Sequence, residues 1–151
     1  MRDIKYIAVH CTAGRQTQTI ADLQAEFRRK GWKNPGYHYV VAPDGKITQL
    51  LDEDKVSNGV KGFNNVSVNV AYIGGIDANG KGVDNRTEAQ KKALRQLLGN
   101  LKKKYPEAVI QGHRDFSPDT DGDGIVEPHE WTKMCPCFDA KEEYKDLLSW
   151  R

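Results

Sequence analysis

Three side chains in this sequence stand out as a metal-binding set: His10, His113 and Cys135. Imidazole nitrogen and thiolate sulfur are zinc donors, and three protein ligands leave a fourth tetrahedral position for water, as in catalytic rather than structural zinc sites. Two neutral imidazoles and one thiolate leave such an ion a net positive charge of about one, enough to polarise a carbonyl and acidify bound water. Spacing alone leaves other readings open. The three residues lie far apart in the chain, and any one histidine taken singly reads as a hydrogen-bonded structural residue. Cys135 with His10 or His113 as its base would equally make a cysteine nucleophile. The cysteines number three, Cys11, Cys135 and Cys137. So odd and sparse a set argues against a disulfide framework and leaves thiols for metal or redox chemistry.

A second motif lies between His113 and Cys135. Asp119, Asp121, Asp123 and Glu130 occupy positions 1, 3, 5 and 12 of a calcium loop, Gly124 sits at its sharp turn, and Ile125 supplies the backbone carbonyl of position 7. Four carboxylates so placed would repel one another without a cation, which favours calcium over a solvated acidic turn. A full EF-hand has a helix on each side. Here His113 to Pro118 precede the loop and only Trp131 and Thr132 separate it from Lys133. The expectation is a lone, structural calcium loop, residues 119–130, that orders the segment bearing Lys133 and Cys135. His129, at a non-ligating position, reads as a surface residue.

These side chains need elements to hold them. Residues Ile4 to His10 alternate as in a strand buried on both faces, with His10 at its far end. Ile20, Leu23 and Phe27 recur at helical spacing after a cap at Thr19, predicting a helix over 18–30. His38 to Ala42, the turn Pro43-Asp44-Gly45, and Lys46 to Leu50 predict a hairpin. Val68 to Ile76 reads as a further strand. Thr87 and Gln90 form a capping box ahead of a wide apolar stripe from Ala93 to Leu101. Ala108 to Gln111 predicts a short strand, and Asp139 caps a last helix running to Trp150. Strands interleaved with helices imply an α/β fold, and the hairpin makes its central sheet mixed rather than purely parallel.

The totals exclude several function classes. A chain of 151 residues fits one compact domain, 1–151, with little room for a second. Lys and Arg number 23 against 21 Asp and Glu, a net charge of +2, so no strong field points to nucleic acid. The mean hydropathy of −0.72 describes a well-solvated globule. No apolar run approaches the roughly 18 residues that span a bilayer, and the N-terminus lacks a secretion-signal core. The expectation is a monomer with neither nucleic acid nor membrane as partner. No export signal is read in it, unless one has been trimmed from it.

A set of ordered motifs sharpens this reading: Ile7-Ala8-Val9-His10-Cys11-Thr12-Ala13, Gly36-Tyr37-His38-Tyr39-Val40-Val41, Pro43-Asp44-Gly45, Gly62-Phe63-Asn64, Tyr72-Ile73-Gly74-Gly75-Ile76-Asp77, Gly112-His113-Arg114-Asp115 and Lys133-Met134-Cys135-Pro136. Together they span almost the whole chain, which resembles the zinc-dependent N-acetylmuramoyl-L-alanine amidases of the phage-lysozyme and peptidoglycan-recognition-protein type. The resemblance implies a central mixed β-sheet flanked by α-helices. It implies hydrolysis of the amide between N-acetylmuramic acid and L-alanine in peptidoglycan, by a protein made in the cytoplasm of a bacterium or phage-infected cell and acting on the cell wall after release. It further implies that His10, His113 and Cys135 bind zinc, that Tyr37 contributes to the active site and that Lys133 assists catalysis. Two residues apart in an extended segment, Lys133 and Cys135 would face the same way.

Two features depart from the pattern. Some relatives carry a histidine in the loop before Gly62, where this chain reads Ser57-Asn58-Gly59, and the segment between His113 and Cys135 is longer than in the simplest relatives. The alternatives are a peptidoglycan-binding protein without activity and a cysteine-dependent cell-wall hydrolase. A binder needs no complete ligand triad, so the presence of all three donors favours catalysis.

Overall fold

Alternation over β1 (Tyr6–Cys11) places Ile7, Val9 and Cys11 on one face of the sheet and Ala8 and His10 on the other, and all five are buried. The computed structural model describes residues 2–118, 120–121, 126, 129, 131 and 134–149. After β1 come α1 (Ile20–Arg29), β2 (Tyr39–Val41), β3 (Ile47–Gln49), β4 (Ser67–Tyr72), α2 (Glu88–Lys104), β5 (Val109–Gly112) and the single turn α3 (Ala140–Glu143). The five strands form one sheet in the order β3-β2-β4-β1-β5. β1 runs parallel to both β4 and β5, β2 runs parallel to β4, and only the hairpin partner β3 is antiparallel. The sheet is therefore mixed, as the hairpin motif requires.

Each long helix begins where its cap predicts. Thr19 and Asp22 close a capping box at α1, and Thr87 and Gln90 close one at α2, each satisfying backbone N–H groups that the first helical turn leaves without partners. The apolar stripe of α2, from Leu94 through Leu98 to Leu101, packs on the sheet face formed by Ile7, Val9, Val68, Val70 and Tyr72. The opposite face meets Leu23 and Phe27 of α1 through Val40 and Ile73. That second face is less apolar, because His10, His38 and Asn69 share it and are buried in it. No helix among the described residues is long and apolar enough to cross a membrane.

The ends of two elements differ from the sequence expectation. Ladder pairing of β4 stops at Tyr72, with the chain turning away at Gly74 and Gly75. The predicted terminal helix breaks at Tyr144 into α3 and a 3-10 turn over Lys145–Ser149. Tertiary contacts pin that point: Tyr144 is buried against Phe138, and the Arg86 guanidinium donates to its hydroxyl at 3.3 Å and to Glu143 at 2.5 Å. Trp150, the expected end of that helix, lies outside the described residues.

Candidate metal centre

Parallel pairing of β1 with β5 brings the C-terminal ends of both strands to one edge of the sheet, where open α/β sheets commonly carry their sites. His10 stands one residue before the end of β1, and His113 opens a 3-10 turn, His113–Phe116, directly after β5. Cys135 comes from the loop ahead of α3, which docks back on this edge. Arg114 N–H donates to the Cys135 carbonyl at 2.8 Å, and the Tyr72 hydroxyl donates to the Pro136 carbonyl at 2.7 Å. The loop approaches so closely that a Cβ on Gly112 would lie 2.6 Å from Pro136 Cδ.

The three side chains converge. One donor atom from each of His10, His113 and Cys135 lies within 4.8 Å of the other two, and His10 Nδ1 is 3.2 Å from His113 Nδ1. His10 is buried, while His113 and Cys135 are half-buried, facing the cleft. Nε2 of His10 lies 2.8 Å from Asn69 Oδ1, which leaves Nδ1 directed at the cluster. Cys11 N–H donates to Cys135 Sγ at 3.1 Å. Cys11 itself points into the apolar core on the other face. The adjacent Cys135 sulfur, with burial, holds its thiol up at about 12, so Cys11 stays protonated. All three cysteines are free thiols.

Tyr37 stands just ahead of β2. Its ring centre lies 5.3 Å from that of His10, and its hydroxyl donates to the Cys11 carbonyl at 3.4 Å. Burial pushes the phenol well above its ordinary range, making Tyr37 a neutral hydrogen-bond donor at the centre. A cleft lined by His10, Cys135, Phe27, Trp32 and Tyr37 continues past His113 into a groove bordered by Lys30, Asn58, Lys61 and Asn64. The Lys30 ammonium lies 4.7 Å from the centre of the Trp32 ring.

The model of the N-acetylmuramoyl-L-alanine amidase family matches residues 1–136. The chain belongs to that family. The endolysin of Klebsiella phage KP32 is 37% identical to the amidase over 142 residues, covering 93% of this chain and 85% of that one. Among solved structures, the Ph2119 endolysin from Thermus scotoductus MAT2119 bacteriophage Ph2119 superposes with a TM-score of 0.72 at 27% identity, covering 98% of this chain and 86% of the other. Bumblebee PGRP-SA shares the fold, with a TM-score of 0.70 at 17% identity over 100% of this chain and 86% of that one. The chain is thus a peptidoglycan hydrolase that cuts the amide between N-acetylmuramic acid and L-alanine.

Of the residues singled out in the sequence, the amidase fold brings His10, Tyr37, His113 and Cys135 to one place. Lys133 lies outside the described residues, as do Asp119, Asp123, Ile125 and Glu130 of the calcium motif. Asp121 is described, with a carboxylate oxygen 3.4 Å from His129 Nε2. The sequence reading passed over Asn69 and the groove residues Lys30, Trp32 and Lys61. Asn69 carried a usable signal, since it is an amide inside the apolar strand Val68 to Ile76, where a buried polar group must find a partner. The groove residues carried none, because exposed lysines are common on any surface.

Proposed function

We propose that the amidase is a zinc enzyme in which His10, His113 and Cys135 hold one ion and Tyr37 and Lys133 serve the reacting amide. The observation that carries this is the 3.2 Å spacing of the two Nδ1 atoms. A tetrahedral zinc ion with nitrogen bonds of about 2.0–2.1 Å sets two imidazole nitrogens about 3.3 Å apart, and a set of two nitrogens and one sulfur suits zinc. Zinc held there supplies a Lewis acid that polarises the scissile carbonyl and makes water a better nucleophile.

The protein's own groups do the rest. Asn69 holds His10 from behind, and the Cys11 N–H stabilises negative charge on the Cys135 sulfur. Tyr37 offers a protonated hydroxyl to the amide as it changes shape. Lys133, two residues from Cys135, brings a fixed positive charge for the oxygen on which negative charge develops. The groove past His113 seats the stem peptide, whose carboxylates meet Lys30 and Lys61 while Trp32 offers an apolar face. The substrate is peptidoglycan of the cell wall, met after release, by a single domain spanning 1–151 that acts as a monomer without nucleic acid or membrane.

The test is digestion of purified peptidoglycan by metal-stripped and zinc-restored protein. Activity is expected to vanish with chelation and return with zinc, releasing new amino groups on alanine without new reducing sugar ends. Cys135→Ala is expected to lose both zinc binding and turnover. Full activity in chelator, or in Cys135→Ala, would overturn the assignment. A cysteine nucleophile would instead give inactivation by alkylation with no metal requirement.

The calcium motif is proposed as a structural site, with Asp119, Asp121, Asp123, Glu130 and the Ile125 carbonyl as ligands. Zinc-loaded protein stripped of calcium is expected to melt several degrees lower and to turn over more slowly. Equal melting temperatures and rates with and without calcium would refute it.

A further inference from the structure

A chain of buried hydrogen bonds runs from the back of His10 across the sheet, through side chains that touch neither cleft nor substrate. His10 Nε2 lies 2.8 Å from Asn69 Oδ1, Asn69 Nδ2 lies 2.6 Å from Ser57 Oγ, and Ser57 Oγ lies 3.1 Å from His38 Nδ1. His38 Nε2 ends the chain 2.7 Å from the Lys55 carbonyl. Ser57 and Asn69 are fully buried, as is His38, and strand register explains how they meet. Ala8 pairs with Asn69 and His10 with Ala71 across β1 and β4. Alternation then sets His10 and Asn69 on the same face, one diagonal apart.

The direction of every bond in this chain follows from its fixed end. The backbone N–H of Asn69 approaches His38 Nδ1 at 3.0 Å. An N–H only donates, so His38 Nδ1 is an acceptor and Nε2 carries the ring proton, which it donates to the Lys55 carbonyl. Arg2 Nη2, 3.2 Å from that same nitrogen, has its own acceptor in the Glu53 carbonyl at 2.6 Å. Burial depresses the His38 pKa, which keeps the ring neutral. With Nδ1 unprotonated, the Ser57 hydroxyl can only donate toward it, sharing the lone pair with the Asn69 N–H. Ser57 Oγ therefore accepts from the Asn69 amide NH2, which turns the Asn69 carbonyl oxygen toward His10. That oxygen accepts only, so His10 carries its proton on Nε2 and its lone pair on Nδ1, the atom that faces His113. Room for the amide comes from Gly59, where a Cβ would lie 2.3 Å from Asn69 Cγ and Oδ1.

We propose that Asn69 is the positioning residue of the metal centre: backed by Ser57 and His38, it locks His10 in the Nε2–H tautomer with Nδ1 presented to the metal, and Gly59 is required to leave it space. The claim rests on the zinc reading for its purpose and on the hydrogen-bond chain for its mechanism. Partners behind a metal-bound histidine typically change metal affinity by about 10–100-fold when removed.

The experiment uses the full chain, stripped of metal and labelled with nitrogen-15, at a pH where imidazoles are neutral. Two-bond proton–nitrogen correlations identify the tautomer of His10 directly. Wild type is expected to show the Nε2–H form. Asn69→Ala is expected to show exchanging tautomers and to bind zinc at least about 10-fold more weakly in competition with a chromophoric chelator. Asn69→Asp, which keeps an acceptor toward His10, is expected to restore the tautomer, and Gly59→Ala to act as a milder Asn69→Ala. An Nδ1–H form of His10 in wild type would overturn the proposal, a reading available even if Asn69→Ala does not fold. So would an Asn69→Ala protein with unchanged tautomer and zinc affinity, and in that case tight zinc binding leaves the metal assignment standing. Conversely, a wild type in the Nε2–H form whose Asn69→Ala variant loses it, but which binds no zinc, would uphold the positioning and reject the metal.

Discussion

Single atoms decide the roles of Tyr37, Cys11 and Cys135. Tyr37 packs its ring against His10 and Phe27, and these contacts survive in Tyr37→Phe, which removes only the hydroxyl. The lost bond to the Cys11 carbonyl is long, at 3.4 Å, so stability is expected to fall by less than about 1 kcal/mol. If the hydroxyl serves the reacting amide, kcat on peptidoglycan falls about 10²-fold while KM and zinc affinity hold. Steady-state kinetics beside a zinc titration check this, and an unchanged kcat removes Tyr37 from the chemistry. Cys11 and Cys135 show how placement overrides residue type. Both are cysteines on the same edge, yet Cys11 is buried within the core cluster while half-buried Cys135 brings its sulfur to His10 and His113.

Among the elements, α2 has an unusual duty at its first turn. Gln90 is fully buried and donates from Nε2 to the carbonyls of Val41 at 3.1 Å and Ile73 at 2.9 Å, at the C-terminal ends of β2 and β4. Its Oε1 accepts from the Thr87 backbone, closing the capping box. Gln90→Leu would strip the buried Ile73 carbonyl of its amide donor, leave the Val41 carbonyl with the Ile73 N–H alone and open the capping box, a cost of roughly 2 kcal/mol or more, whereas Thr87→Ala loses the hydroxyl's share of the cap and its bond to the Pro43 carbonyl, at about 1 kcal/mol. Urea unfolding measures both, and the larger loss is expected in Gln90→Leu. A capping box is legible in sequence because its partners lie three residues apart. The second task of Gln90 was not, because Val41 and Ile73 reach it only through strand order.

For the molecule as a whole, acid stability follows from a few carboxylates. Burial works against ionised Glu53, but the Tyr39 hydroxyl, the Tyr105 hydroxyl at 2.7 Å and Lys104 at 2.9 Å outweigh it and hold its pKa below the ordinary value. Burial likewise opposes Asp84, and the Arg86 guanidinium overrides it. A carboxyl depressed in the folded state adds stability above its unfolded pKa, about 4, and that stability drains away as pH falls through the folded value. Asp115, raised by burial, works in the opposite sense. Among the described residues three carboxyls are depressed, Glu53, Asp84 and the exposed Asp146 beside Arg95, against one raised, which gives the expected outcome: a melting temperature steady near neutrality that drops below about pH 4. Melting curves across pH 3 to 8 check it, and Glu53→Gln is expected to flatten the acidic limb. An unaltered limb in that variant would discount the Glu53 cluster.

The sequence by itself determined what depends on near neighbours and on residue chemistry. It determined the buried strand ending near His10, the cap at Thr19 and the Thr87–Gln90 capping box, the hairpin that makes the sheet mixed, the donor types of His10, His113 and Cys135, and the calcium-loop spacing around Asp121. Tertiary structure alone decided which of these meet. His10 and His113 stand 103 residues apart and touch because β5 pairs with β1 in parallel, which no local pattern encodes. Asn69 became visible as a partner of His10 only with the register of β1 on β4, and the terminal helix breaks where Arg86 and Phe138 pin Tyr144. Propensity and caps act over a few residues, whereas convergence and burial of polar groups are set by the order and register of strands far apart in the chain.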